Sequence, residues 1–323
     1  MHNNIDSKNK PAIEVKNLRK VYLARDKKKI QKTALEGINL KINQGEIFGL
    51  LGPNGAGKST FINILAGLVI KSNGEVNING FNIDSNVREA RQSIGVVPQE
   101  LTLDPFFSPK DSLELQAGMY GVRKKNRKTK EILSALKLTD VANGYARRMS
   151  GGMKRRLMVG KAMVHSPPIL VLDEPTAGVD VELRRHLWSM VEDLNKKGTT
   201  IVLTTHYIEE AEKLCDRIGI LNHGNLVACD TKDKLLSLID KKELIVKFKN
   251  KFSSLPALLD DLNPIILSDM KVKFTYQAKN LEFQKILNKI NNCNLEVIDF
   301  EIKETDLEEV FLSITKKNSS ISK

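Results

Sequence analysis

GPNGAGKST, residues 52 to 60, sets three glycines, one lysine and two hydroxyls between the apolar runs EIFGLL (46–51) and FINILAGL (61–68). Gly52 to Ser59 fits the pattern G-x-x-x-x-G-K-[ST], and its place after a buried strand and at a helix start is the one phosphate binding requires. The loop residues Gly52, Pro53, Asn54, Gly55, Ala56 and Gly57 let backbone N–H groups converge on phosphate oxygens. The helix N-terminus adds a dipole worth about 0.3–1 kcal/mol per anion at exposed sites. Lys58 supplies a point charge for the β and γ phosphates, Ser59 offers its hydroxyl to Mg²⁺, and Thr60 completes the binding set. A bare glycine turn explains neither the lysine nor the flanking elements. The expected ligand is a nucleoside triphosphate.

Around this loop the chain is an ordinary globular one. Its 323 residues leave room for one large domain and a smaller one, and hydrophobics at 41% argue against disorder. The net charge of +12 suits a polyanionic neighbour, although a basic surface alone is commonly just solubility. Three cysteines, Cys215, Cys229 and Cys293, are too few and too far apart for a disulfide framework or a zinc knuckle, so reduced cytosolic thiols are expected. MHNNIDSKNKP lacks the apolar core of a signal peptide. No apolar run approaches the roughly 20 residues that span a bilayer. A soluble chain is expected.

AIEVKNLRKVYLA (12–24) alternates like an edge strand, and LEGINLKIN (35–43) repeats the pattern after a charged insert. SIGVVPQ (93–99), PILVLDEP (168–175) and TTIVLTTH (199–206) are short apolar strands with helical patterns between them. Such alternation predicts a mostly parallel sheet covered on both faces. The segment from about 105 to 165 reads as a helical insertion and contains the basic run RKKNRKTK (123–130). The run reads first as a solvated helix face, with a surface for lipid head groups as the alternative. From 231 the elements become shorter, as in a small α/β lobe whose last helix is capped by Thr305 with Glu308. No internal repeat is present. The expected division is a disordered tail over 1–11, a nucleotide-binding domain over 12–230, an accessory lobe over 231–317 and a tail over 318–323.

ILVLDE (169–174) places two acids at the carboxyl end of a buried strand, where they are costly unless used. With the lysine loop upstream, Asp173 is placed to hold the Mg²⁺ shell and Glu174 to orient and deprotonate the attacking water. MSGGMKRRL (149–157) sets Ser150 at an N-cap before Gly151, Gly152 and a helical run, a second place built to receive an anion.

The order GPNGAGKST, VVPQ, MSGGM, ILVLDEPTAGVD and TTHYIEEAE resembles the nucleotide-binding subunit of ATP-binding cassette (ABC) transporters over about residues 13 to 230. It is most similar to the multidrug-exporter branch, the daunorubicin-resistance and YadG-like subunits, through GGMKRRL, EPTAGVDVELRR and the terminal DLEEVFLSIT. The resemblance implies a P-loop cassette with a mixed, mostly parallel sheet, a helical subdomain and a small C-terminal α/β lobe. It implies that Gln99 touches Mg²⁺ and water, that His206 contacts the γ-phosphate and that Asp180 links two nucleotide sites across a dimer. By the same analogy Tyr22 stacks on adenine. Ser150, Gly151 and Gly152 keep the anion-binding part of the family signature, but Met149 and Met153 stand where it has leucine and glutamine. The segment between Tyr22 and Ala34 is also longer and more basic than the family pattern.

The implied function is an ATPase, using ATP and Mg²⁺, that works as a homodimer on the cytoplasmic side of the cell membrane. It powers a separate permease with about six transmembrane segments, and no nucleic-acid partner is expected. A non-transport ABC ATPase acting on nucleic acid or ribosomes is the alternative. Against it, no long coiled coil separates Lys58 from Ser150 and the chain has one cassette. A regulatory nucleotide-binding module without turnover is a third reading, disfavoured by Glu174. The transported substrate is not written in this chain.

Overall fold

A computed structural model describes residues 10–23, 32–238, 242–252, 254–277, 282–293, 295–304 and 306–319. The chain forms two compact units, 1–230 and 231–323.

The first unit opens with β1 (Ile13–Tyr22), β2 (Lys32–Ile42) and β3 (Ile47–Leu51), followed by α1 (Lys58–Leu65). Next come β4 (Asn73–Ile78), β5 (Phe81–Asn82), α2 (Val87–Gln92) and β6 (Ile94–Val97). A helical segment holds α3 (Pro109–Met119), α4 (Thr129–Ala135) and α5 (Gly151–Met163). The chain then alternates through β7 (Ile169–Asp173), α6 (Val181–Lys196), β8 (Thr200–Thr205), α7 (Ile208–Leu214), β9 (Arg217–Asn222) and β10 (Asn225–Thr231).

Six of these strands form one sheet in the order β10-β9-β3-β8-β7-β6, and the pairs β3–β8, β3–β9, β7–β8 and β6–β7 are parallel. Every residue of β3, β7 and β8 is buried, which is why the centres of these segments read as apolar runs without alternation. The remaining four strands form an antiparallel sheet in the order β2-β1-β4-β5. Its inner face packs Ile13, Leu18 and Leu35 into one cluster with Phe48, Phe61 and Ile62.

β1 is therefore an inner strand, between β2 and β4, and not the edge strand its alternation suggests. Alternation reports one buried and one wet face, and an inner strand of a one-sided sheet has both. The partner β4 comes more than 50 residues later in the chain, out of reach of any local pattern.

The helical segment has its own core of Leu113, Leu133, Leu136 and Leu157. Local chemistry sets its helix starts. The Ser108 hydroxyl accepts from Asp111 N with Pro109 at the first position of α3, and the Ser150 hydroxyl accepts from Met153 N at the head of α5. Gly160 lets α5 approach its neighbours, since a Cβ there would lie 2.7 Å from Leu136 Cδ1.

The second unit contains α8 (Lys232–Leu236), β11 (Lys242–Phe248), β12 (Ile265–Ser268), β13 (Lys271–Tyr276), α9 (Glu282–Asn292), β14 (Val297–Glu304) and α10 (Leu307–Ser319). Its antiparallel sheet runs β12-β13-β11-β14, with Leu244, Val246 and Phe274 buried alongside Ile286 and Ile290 of α9. Thr305, expected to cap the last helix, lies outside the described residues. The Asp306 carboxylate, one residue on, accepts from Glu309 N at 2.9 Å. The helix reaches Ser319, so it includes the first two residues of the expected terminal tail.

Candidate active site

Because β3, β8 and β7 are adjacent and parallel, their carboxyl ends meet at one edge, where Leu51 lies opposite Thr205 and Asp173 opposite Thr204. The glycine loop, Glu174 and His206 leave the sheet there, at the edge where open α/β sheets bind ligands.

The loop is shaped by close backbone contacts. Gly57 has φ +112°, and a Cβ on it would lie 2.5 Å from Ala34 O. Only glycine fits this position, directly before Lys58 opens α1. A Cβ on Gly52 would meet Leu221 O at 2.4 Å. Ala56 is buried, and its N–H donates to Pro53 O at 3.1 Å. Lys58 Nζ donates to Gly52 O at 2.7 Å and to Pro53 O at 3.3 Å, and it stands 3.4 Å from Glu174 Oε1.

Glu174 is the hub. Its Oε2 accepts from Gln99 Nε2 at 3.1 Å and lies 3.2 Å from His206 Nδ1. The sheet thus brings Lys58, Gln99 and His206, distant in sequence, onto the one carboxylate of Glu174. Its backbone has φ +45°, a left-handed conformation that costs a non-glycine residue on the order of 1–3 kcal/mol and concentrates at functional sites. Thr204 holds the turn, accepting Glu174 N–H on its hydroxyl at 3.0 Å and on its carbonyl at 3.2 Å.

The Thr204 hydroxyl also donates to Asp173 Oδ1 at 2.6 Å. Burial pushes the Asp173 carboxyl up. The hydrogen bonds from Thr204 and Ser59 and the charge of Lys58 act against it, while the Glu174 carboxylate adds to it.

Tyr22, 40% exposed, shares a cavity of about 440 Å³ with Asn54, Gly55, Gly57, Lys58, Ser59, Thr60, Gln99 and Glu174. Ser150, Gly151, Gly152 and Asp180 are not brought there. They line a different cavity of about 440 Å³ that shares no lining residue with the first. Of the departures from the family signature, Met149 is buried in the core of the helical segment and Met153 packs against it.

Sequence reasoning missed three contributors. Thr204 sits in a strand whose every residue is buried, and a buried hydroxyl in an apolar strand needs a partner, which was the available signal. Arg155 reads as part of a solvated KRR run, yet it is 4% exposed and donates from Nη1 to Pro98 O at 3.0 Å, tying α5 to the residue before Gln99. Glu210, within EEAE, is fully buried and accepts from Trp188 Nε1 at 3.1 Å.

A glycine loop with a buried lysine, facing a strand-end acid pair across parallel strands, defines a P-loop nucleotide-hydrolase cassette. Residues 35–177 match the family described as ABC transporter. The linearmycin resistance ATP-binding protein LnrL of Bacillus subtilis (strain 168) is 34% identical over 94% of this chain and 98% of its own length. The daunorubicin resistance ATP-binding protein DrrA3 of Streptomyces coeruleorubidus is 31% identical over 88% and 92%. Among solved structures, a dimeric ATP-binding cassette in a post-hydrolysis state bound to ADP and phosphate superposes with a TM-score of 0.60 at 29% identity. It covers 68% of this chain and 98% of its own. The chain belongs to the ABC transporter family, as an ATP-binding subunit of the exporter type, and it is an ATPase. Among the described residues no helix is long and apolar enough to cross a membrane.

Proposed function

We propose that this subunit powers a separate membrane permease, of about six transmembrane segments, by closing with a second copy of itself around ATP. It acts from the cytoplasmic side of the membrane and is held there through the permease. Glu174 orients and deprotonates the attacking water, with Gln99 and His206 fixing its carboxylate. Lys58 neutralises the β and γ phosphates, and Tyr22 stacks on the adenine. Ser150, Gly151, Gly152 and Asp180 of the second copy complete the site.

Mg²⁺ fits the residues present. One buried carboxylate, Asp173, stands beside the Ser59 hydroxyl, and Ser59 shares its cavity with the Gln99 amide, which together make a hard-oxygen set of the kind this ion takes with nucleotide phosphates. When bound, the ion neutralises charge on the transferred phosphoryl group. Ser59, Gln99 and Asp173 are the residues that would hold it.

One observation carries this reading: the glycine loop and the Ser150 helix start line separate cavities of one chain. Two anion-binding halves that do not meet within a chain can meet across a two-fold, and an isologous interface then makes two equivalent sites. Export is the branch supported by the resistance proteins, which match this chain nearly end to end.

The test places Ser150→Arg in a Glu174→Gln background and measures dimer formation with MgATP by size-exclusion chromatography. Glu174→Gln alone is expected to dimerise, and the double variant to stay monomeric with ATP binding retained. Equal dimerisation of both would sink the shared-site reading.

A further inference from the structure

The basic run 123–130 has no part in the nucleotide site. Most of it is not a helix face: Lys124–Asn126 form a single 3-10 turn between α3 and α4, and only Thr129 and Lys130 lie in α4. The turn is clamped from beneath by Glu114 of α3, whose carboxylate pairs with Arg127 Nη1 at 2.6 Å and accepts from the Thr129 hydroxyl. Arg127 Nε further donates to Val122 O at 3.1 Å. The other five cations, Arg123, Lys124, Lys125, Lys128 and Lys130, are exposed, and none makes an ion pair with another described residue. A fixed turn in which Glu114 is taken up by Arg127, and five cations face outward against the single exposed acid Glu131, is organised to meet something anionic.

Leu115 and Met119 supply a second, independent property. They stand four residues apart on α3, hence on one face, and are 47% and 72% exposed at the end of the helix that leads into the basic turn. Cations beside exposed aliphatic side chains match the bilayer surface, where phosphates meet the first methylenes. Single-stranded nucleic acid favours aromatic platforms, and the aromatic closest in sequence to the turn, Tyr120, is stacked on the His165 ring at 3.7 Å.

We propose that this α3–α4 corner rests on anionic lipid head groups, with Arg123, Lys124, Lys125, Lys128 and Lys130 on the phosphates and Met119 at the acyl boundary. The inference rests on the reading that the subunit works at a membrane, but its test needs neither a permease nor hydrolysis.

The test is flotation of the full chain with vesicles of phosphatidylglycerol mixed with phosphatidylcholine, against pure phosphatidylcholine. Binding is expected only to the anionic vesicles and is expected to fall as salt rises. Each cation at an anionic surface contributes about five-fold, so Lys124→Gln/Lys125→Gln/Lys128→Gln should weaken binding on the order of 10²-fold. Lys10→Gln/Lys16→Gln/Lys213→Gln, an equal charge change at exposed positions elsewhere, should weaken it far less. Met119→Gln, with all charges kept, should weaken it several-fold.

Equal losses in the two triple variants would reduce the effect to net charge and overturn the proposal, as would equal binding to both vesicle types or binding to neither. Tighter binding to a duplex oligonucleotide, lost in the same variant, would reassign the surface to nucleic acid. ATP hydrolysis by the first triple variant in solution is expected to match wild type. A wild type without ATPase activity would overturn the functional reading while leaving the vesicle result to stand.

Discussion

Nζ of Lys58 stands 3.4 Å from Oε1 of Glu174, and both side chains are almost fully buried. The cation that would hold the phosphates is thus set against the carboxylate that would activate water. Breaking a buried pair exposes the uncompensated partner, so the two single substitutions should have different consequences.

Glu174→Gln leaves Lys58 with the carbonyls of Gly52 and Pro53, so ATP binding should persist while turnover falls by on the order of 10²–10⁴. Lys58→Ala removes the phosphate charge and should weaken binding itself. Nucleotide titration and steady-state ATPase assays separate the two. Wild-type turnover in Glu174→Gln would remove that residue from the role of base.

Glu210 offers a test with a pH sign. Burial is the largest influence and pushes its carboxyl up, against the nearby Thr205 and Thr176 hydroxyls, the Trp188 N–H that it accepts and the charge of Arg184. A carboxyl raised in the fold binds more protons folded than unfolded. From its unfolded value, about 4.3, up to the raised folded value, this group makes stability fall as pH rises. Glu210→Gln should abolish that component of the melting curve and stay within about 1 kcal/mol of wild type. Glu210→Ala, which strands the Trp188 N–H, should cost about 1–3 kcal/mol. A pH dependence unchanged in Glu210→Gln would refute the assignment.

His165 carries the opposite sign. Its ring lies parallel to Tyr120, with Nε2 at 3.2 Å from Ile94 O, and burial holds its pKa below the usual histidine value. The unfolded chain then takes up the proton first. Stability from this group is full above about pH 6.5 and is lost as pH falls toward the lower folded value. His165→Phe keeps the stack, gives up one hydrogen bond worth about 1 kcal/mol and should narrow the difference in Tm between neutral and mildly acidic buffer. A difference as wide as in wild type would contradict this.

These groups also mark where sequence reading stops. The glycine loop, the acid pair at the end of ILVLDE and the histidine ending TTIVLTTH were legible because each is a local arrangement: an apolar strand, then the residues its end delivers. Adjacency of those strand ends followed from the parallel alternation. Arg155 and Glu210 were illegible for the converse reason. KRR and EEAE carry the composition of solvated helix faces, and only packing against Pro98 and Trp188 turns one residue of each inward. The left-handed turn at Glu174 was equally hidden, since it depends on two hydrogen bonds to Thr204 from another strand.

The two-unit division makes a prediction about the accessory lobe. Residues 1–230 contain the six-stranded and four-stranded sheets and the whole cavity of Lys58, Gln99 and Glu174, and residues 231–323 have a core of their own around Leu244, Val246 and Phe274. A strand that closes a sheet edge cannot be cut without exposing its neighbour, so the break belongs after Thr231, where β10 ends. A chain ending there should remain soluble, bind ATP within a few-fold of the full-length protein and unfold in one cooperative step. The separated lobe lacks nucleotide residues, so ATP should raise the Tm of the truncated chain as it does that of the whole. If the shortened protein is insoluble, or binds ATP far more weakly while the lysine loop is intact, the lobe completes the core of the cassette and the division into independently folding units is wrong.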